Sequence, residues 1–202
     1  MAGFDDEEYV SFEEADKPGV ATPDADDPDD SDPDDDLEDA AEDEIDYVLA
    51  AYREDGQLHV QALDDELAND LDGLIDQLRR LPGDAGALGF VSLVDEVFVV
   101  LRVRGQHVQA ILSDSAAAAD FPIAHDVLDF LGEDLDLDQL DDEDGELVGD
   151  LEMLADLGLS EFDLSRIVDD LDLGSDQMLG TIADRININP DFSRATEAAF
   201  RD

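Results

Sequence analysis

Apolar residues first gather at 45–52, in the run IDYVLAAY, and return at 58–63, where Leu58, Val60 and Ala62 alternate with polar neighbours. Asp55-Gly56 lies between the two runs and suits a tight turn, so together they predict a β-hairpin. The period then changes. From 64 to 81, Leu67, Leu71, Leu74, Ile75 and Leu78 recur at steps of three and four, which is one face of an amphipathic helix. Arg79 and Arg80 fall in its last turn, where cations suit the helix dipole, and Pro82-Gly83 ends it. Three extended runs follow at 87–95, 97–103 and 107–113. Their connections, Asp95-Glu96 and Arg104-Gly105-Gln106, are too short for anything but antiparallel neighbours. On the second run Val97, Val99, Leu101 and Val103 share one face, while Phe98, Val100, Arg102 and Arg104 share the other.

A second helix is expected to begin at Ala116 or restart at Pro122, with Ile123, Val127, Leu128 and Leu131 on its apolar side. Gly132 closes it, and an acidic linker occupies 133–146. The rest reads as short helices: 151–157 capped by Asp150, 161–171 capped by Ser160, 176–186 capped by Ser175, and a last one from Pro190 to about 201 capped by Asn189. The order is ββαβββα and then a helical cluster. It predicts an α+β fold: an antiparallel sheet of about five strands with helices on one face, followed by a small C-terminal helical cluster. The pattern does not say whether that cluster closes over the sheet. The expected organisation is a disordered acidic tail (1–43), a sheet domain (44–132), the linker (133–146) and a helical extension (147–202).

Charge changes this picture most at the N-terminus. The chain has 202 residues, 59 acidic against 10 basic, for a formal charge of −49. Residues 1–46 hold 22 of the acids, Lys17 as their sole basic residue, and four of the seven prolines. Phe4, Tyr9, Val10, Phe12 and Val20 are too sparse to offset an ordering cost of about 1–2 kcal/mol per residue, hence the disordered tail. Such a tail either solubilises the chain or serves as an electrostatic ligand for a basic protein surface. A chain this negative is repelled by phosphate, so no direct nucleic-acid or anionic-membrane contact is expected. Cysteine is absent, which excludes disulfides, thiolate zinc sites and cysteine nucleophiles. No apolar run approaches the roughly 18–20 residues of a membrane span, and MAGFDDEEYV lacks the basic-then-apolar pattern of a secretory leader. A cytoplasmic protein is therefore expected, with no signal for its oligomeric state.

Candidate chemistry is thin. Asp134, Asp136 and Asp138 match the first ligands of an EF-hand loop, but Gln139 stands at the obligatory glycine and Gly145 at the bidentate glutamate. His59, His107 and His125 are isolated; strand or helix surface is their simplest reading. There is no Gly-x-Ser-x-Gly, dinucleotide or P-loop spacing. No cofactor, metal or catalytic residue is expected. Asp95-Glu96, on a strand connection, is the best carboxylate pair for acid–base work, provided one of the two is desolvated. Arginines are scarce enough to matter. Arg102 and Arg104 on one strand face, with Arg79 and Arg80 at a helix end, form a possible cationic dock, though local pairing with carboxylates is the simpler role.

Several segments taken together carry a resemblance: AAYREDG; LDGLIDQLRRLPGDAGALGFVSLVDEVFVVLRVRG; ILSDSAAAADFPIAHDVLDFLG; VGDLEMLADLGL; and DDLDLGSDQMLGTIADRI. Over roughly 44–190 the chain resembles the actinobacterial tRNA adenosine deaminase-associated proteins. The resemblance implies a small cytoplasmic accessory protein; the family's name rests on gene adjacency to a tRNA adenosine deaminase, and it brings no catalytic residues to place here. A zinc deaminase needs His-x-Glu and Pro-Cys-x-x-Cys. Here the residues two beyond the histidines are Gln61, Gln109 and Val127, and no cysteine exists. The chain is therefore expected to act on deamination only through a protein partner. The alternatives are an acidic nucleic-acid mimic that binds another basic protein, and an enzyme of unrecognised type.

Overall fold

β-Branched and aromatic side chains dominate the middle of the chain, and there the backbone is extended. The computed structural model describes residues 37–83, 86–133 and 145–200. Strands β1 (Ile45–Glu54), β2 (Gln57–Ala62), β3 (Ala87–Leu93), β4 (Val97–Arg104), β5 (His107–Leu112) and β6 (Val148–Gly149) form one antiparallel sheet in the order β2-β1-β3-β4-β5-β6. Helix α1 (Leu71–Arg80) links β2 to β3 across β1, and α2 (Pro122–Leu131) follows β5. Helices α3 (Glu161–Val168), α4 (Ser175–Arg185) and α5 (Asp191–Ala199) complete the α+β fold expected from the sequence.

Both faces of the central strands are covered. Every residue of β3 is buried, and so is every residue of β4 except Arg104. That is why 87–103 reads as an almost unbroken apolar run: a strand covered on both sides has no polar side to show. On one face Val48, Val91, Val99 and Leu101 meet Leu74 and Leu78 of α1 and Ile123 and Val127 of α2. On the other, Leu49, Phe90, Phe98 and Ile111 meet Leu164 of α3, Leu179 and Ile182 of α4, and Phe192 of α5. Phe192 stands edge-on to Phe90 at 5.1 Å and to Tyr47 at 6.2 Å. Each of these fully buried large side chains contributes about 1.5–3 kcal/mol relative to exposure. Helices α1 and α2 thus lie on one face, as expected, and the C-terminal cluster closes the other.

Differences from the sequence expectation have local causes. The stretch expected as one helix over 64–81 is two pieces. Asp64 accepts from Glu66 N and opens a 3-10 turn at Asp65–Asn69; Asp70, extended at φ −141°, then accepts from Gly73 N and starts α1. Two short polar side chains that prefer caps outcompete the continuous helix. The described chain begins inside the stretch assigned to the tail: Ala40 exchanges hydrogen bonds with the Asn69 side chain at 2.8 and 3.1 Å and joins the core edge. Residues 151–157 form turns and one 3-10 turn (Ala155–Leu157) rather than a helix, and α3 stops at Val168. Strand β6 is an addition to the expected sheet. Gly149 (φ +115°) permits it, since a Cβ there would sit 2.2 Å from the Ala110 carbonyl. Asp134, Asp136 and Asp138 lie outside the described residues.

Candidate functional site

Between Ile45 and Tyr47 the register of β1 against β3 slips, and the resulting bulge turns Asp46 toward the face that carries Tyr47. Ser92 stands opposite Tyr47 on β3, and the β3–β4 turn carries Asp95. Helix α4 brings its first residues to the same corner: Ser175 N donates to the Asp95 carbonyl at 3.0 Å. Gly174 occupies the cap position expected of Ser175, because a Cβ at 174 would lie 2.3 Å from the Asp95 carboxylate. Ser175 is thereby free to turn inward, where it is fully buried.

A directed hydrogen-bond chain results. Ser92 Oγ donates to Asp46 Oδ2 at 2.9 Å, and its oxygen lies 2.6 Å from Ser175 Oγ. Ser92 has only one proton to give, so Ser175 donates to Ser92. Asp46 Oδ2 also accepts from Asp95 N at 2.8 Å. The turn itself is strained, with Val94 at φ +48° and Asp95 at φ +55°. It is held by the Asp46 contact and by Val94 N donating to the Glu44 carbonyl at 2.8 Å.

Among the described residues, two polar atoms in this corner lack a hydrogen-bond partner. The Tyr47 hydroxyl lies beside Ser92 but makes no hydrogen bond of normal geometry, although the residue is 1% exposed. Burial, reinforced by the Asp176 charge, pushes its phenol far above the ordinary range. Asp176 Oδ1 is likewise buried without a partner. Burial raises the Asp176 carboxyl, and the hydrogen bond and charge of Asp95 raise it further; the backbone of Gln177 opposes this. Like charge from Asp95 thus adds to burial in disfavouring the ionised Asp176 carboxyl. No cationic side chain appears among the groups that perturb Tyr47 or Asp176.

Beside this corner a groove of about 740 Å³ opens between the β3–β4 turn and α3. Asp95, Glu96, Asp114, Glu146 and Asp169 rim it, Leu147, Val168 and Met178 form apolar wall, and among the described residues no Lys, Arg or His lines it. Leu171, at its edge, is 96% exposed.

The opposite end of the same sheet face holds Arg102, 6% exposed. Its Nη2 donates to Asp156 Oδ2 at 2.7 Å, and its Nη1 donates to Asp156 Oδ1 and to the Met153 carbonyl. That hydrogen bond holds the Asp156 carboxyl below the usual range, against its partial burial. A mainly apolar cavity of about 110 Å³, walled by Ala51, Leu58, Leu88 and Ile186, lies beside Arg102.

The four arginines named from sequence are not one cluster. Arg102 is turned into the core. Arg104 is exposed and donates to Gln109 Oε1 at 3.2 Å. Arg79 and Arg80 sit exposed on α1, across the sheet, where Arg79 pairs with Asp76 at 3.0 Å. His59 stacks on Tyr52 at 5.3 Å, far from the acidic corner in the β1–β2 register. Of the carboxylate pair, both exposed, Asp95 borders this corner and Glu96 the groove rim; the carboxyl of the corner that burial raises is Asp176, which sequence reasoning missed. Asp46, Ser92 and Ser175 were missed as well. Among the described residues, no group of three His, Asp or Glu could hold a metal, and no helix is long and apolar enough to cross a membrane.

A family model described as Rv3753c-like tRNA adenosine deaminase-associated protein matches residues 46–189. Protein Rv3753c of Mycobacterium tuberculosis is 36% identical over 135 residues, which span 67% of this chain and 78% of that relative. No solved structure matches the chain.

Proposed function

We propose that this chain, which belongs to the Rv3753c-like tRNA adenosine deaminase-associated protein family, is a non-catalytic cytoplasmic accessory that binds a tRNA adenosine deaminase by protein–protein contact. The family's description carries the reading, and its model spans the sheet and helices α1 to α4. The chemistry agrees. An enzyme that holds tRNA needs cationic surface for phosphate, and a chain of charge −49 is attracted to such a surface and repelled by the tRNA itself. Among the described residues, the carboxyls of the acidic corner have serines and a phenol as neighbours but no histidine or lysine to serve as a base at neutral pH.

The test is co-purification of the full chain with the deaminase of the same organism. A complex is expected at low ionic strength, weakening as salt rises past roughly 0.15 M, where screening shortens to about 8 Å. Absence of a complex at low salt rejects the association. The crowding of 22 acids into residues 1–46 favours a second reading, a nucleic-acid mimic aimed at another basic protein. Removing residues 1–36 separates the two. Undiminished deaminase binding favours the accessory reading, and loss of all binding to basic proteins favours the mimic.

A further inference from the structure

We infer that the groove between the β3–β4 turn and α3 is the docking surface for a cationic amphipathic segment of the protein partner, one in which Lys or Arg side chains flank an aliphatic residue. In identifying that partner as the deaminase, the inference rests on the reading above.

The occupant follows by elimination. Five acidic residues line one open volume and no cation among the described residues lines it, so a nucleotide, a phosphate or any other anion is repelled. A single metal ion needs several ligands converging within about 2.0–2.6 Å, and no such group exists among the described residues. The acids instead stand apart, on the β3–β4 turn (Glu96), after β5 (Asp114), before β6 (Glu146) and at the end of α3 (Asp169). Dispersed charge of this kind is matched by several cations carried on one scaffold. Between the acids the walls are apolar, and Leu171 projects almost wholly into water at the edge. Apolar wall inside a charged rim is the anatomy of a protein contact, with burial at the centre and ionic pairing around it. A simple counter-ion atmosphere would leave Leu171 exposed; an amphipathic segment covers it.

The full chain is titrated with two fluorescein-labelled peptides of equal charge, one of leucine and lysine and one of serine and lysine, and with the deaminase. The variants are E96Q/E146Q/D169N in the groove, L171S at its edge, and E66Q/D72N/D129N as a matched removal of three exposed acids on the other layer. The inference expects the wild type to favour the leucine peptide. It expects the groove triple to weaken both that peptide and the deaminase about tenfold, and the matched triple to change either less than about twofold. L171S narrows the preference for leucine over serine. Equal losses in the two triples mean that only net charge matters, which overturns the groove, as does equal affinity for the two peptides. A deaminase that binds the groove triple as tightly as wild type docks elsewhere, and the inference fails while the association stands. A deaminase that binds no form of the chain defeats the association instead, and the peptide titrations then decide the groove alone.

Discussion

The two ends of one sheet face bury polar groups in opposite ways. At one end Arg102 is enclosed, and the Met153 carbonyl and the half-exposed Asp156 take up its donors. At the other, Asp46, Asp95 and Asp176 crowd two serines and a phenol with no cation, leaving the Tyr47 hydroxyl and Asp176 Oδ1 unpaired. The first is a staple between β4 and the turn at Ala155–Leu157. The second holds strain beside an open acidic groove. A fold tolerates uncompensated polarity where it adjoins solvent and a contact surface, whereas a guanidinium placed deep over a strand needs full pairing.

Removing compensation should hurt most where it exists. Asp156→Ala takes away the half-exposed counter-ion of the buried Arg102 guanidinium and is expected to cost about 2 kcal/mol, read from the urea unfolding midpoint. Ser175→Ala breaks the hydroxyl chain and leaves Ser92 Oγ without its donor, for about 1 kcal/mol in the same measurement. Asp176→Asn should act in the other direction, raising stability at pH 7 by under about 1 kcal/mol, because it removes a carboxylate that Asp95 and burial both disfavour.

The pH dependence separates the ends further. The Asp176 carboxyl is raised on folding, so its contribution is fully present below the ordinary carboxyl range and is lost as pH rises through the folded value. The Asp156 carboxyl is depressed, so its contribution holds above that range and is lost as pH falls through its folded value. Thermal unfolding across pH 2–7 should therefore show the Asp176→Asn chain losing the decline at the upper side of the carboxyl range, with the acid-side loss unchanged. The smallest effect is expected of Tyr47→Phe. Deleting a buried hydroxyl that has no partner should leave the midpoint unchanged or raise it by about 0.5 kcal/mol.

Much of the scaffold was readable from the chain because its signals are local. The apolar runs of β3 to β5 and their two-to-three-residue connections state an antiparallel meander. The Leu71, Leu74, Ile75 and Leu78 spacing states the buried side of α1. Coverage of the second face was also written in Phe98 and Val100, apolar on the side opposite Val97 and Val99, but that signal names no partner. Strand β6 has two residues and no period. The acidic corner was illegible for a different reason: Ser92 lies 46 residues from Asp46 and 83 from Ser175, so only the folded chain unites them. Ser175 at a helix start reads as a cap, and only the crowding of Asp95 against Gly174 shifts that role by one residue. Asp95 and Glu96 were noticed because two acids between two strands stand out. Arg102 was noticed too, but its partner at Asp156, 54 residues on, decides whether it looks outward or inward.

The double covering of β3 also bears on synthesis. A ribosome delivers the five long strands with α1 and α2 well before α3, α4 and α5 emerge. For that interval Phe90, Phe98 and Ile111 form a greasy surface with no lid of their own. A premature stop after α2 would make the condition permanent. Such a fragment should partition into the insoluble fraction of the cell despite its abundance of acidic side chains.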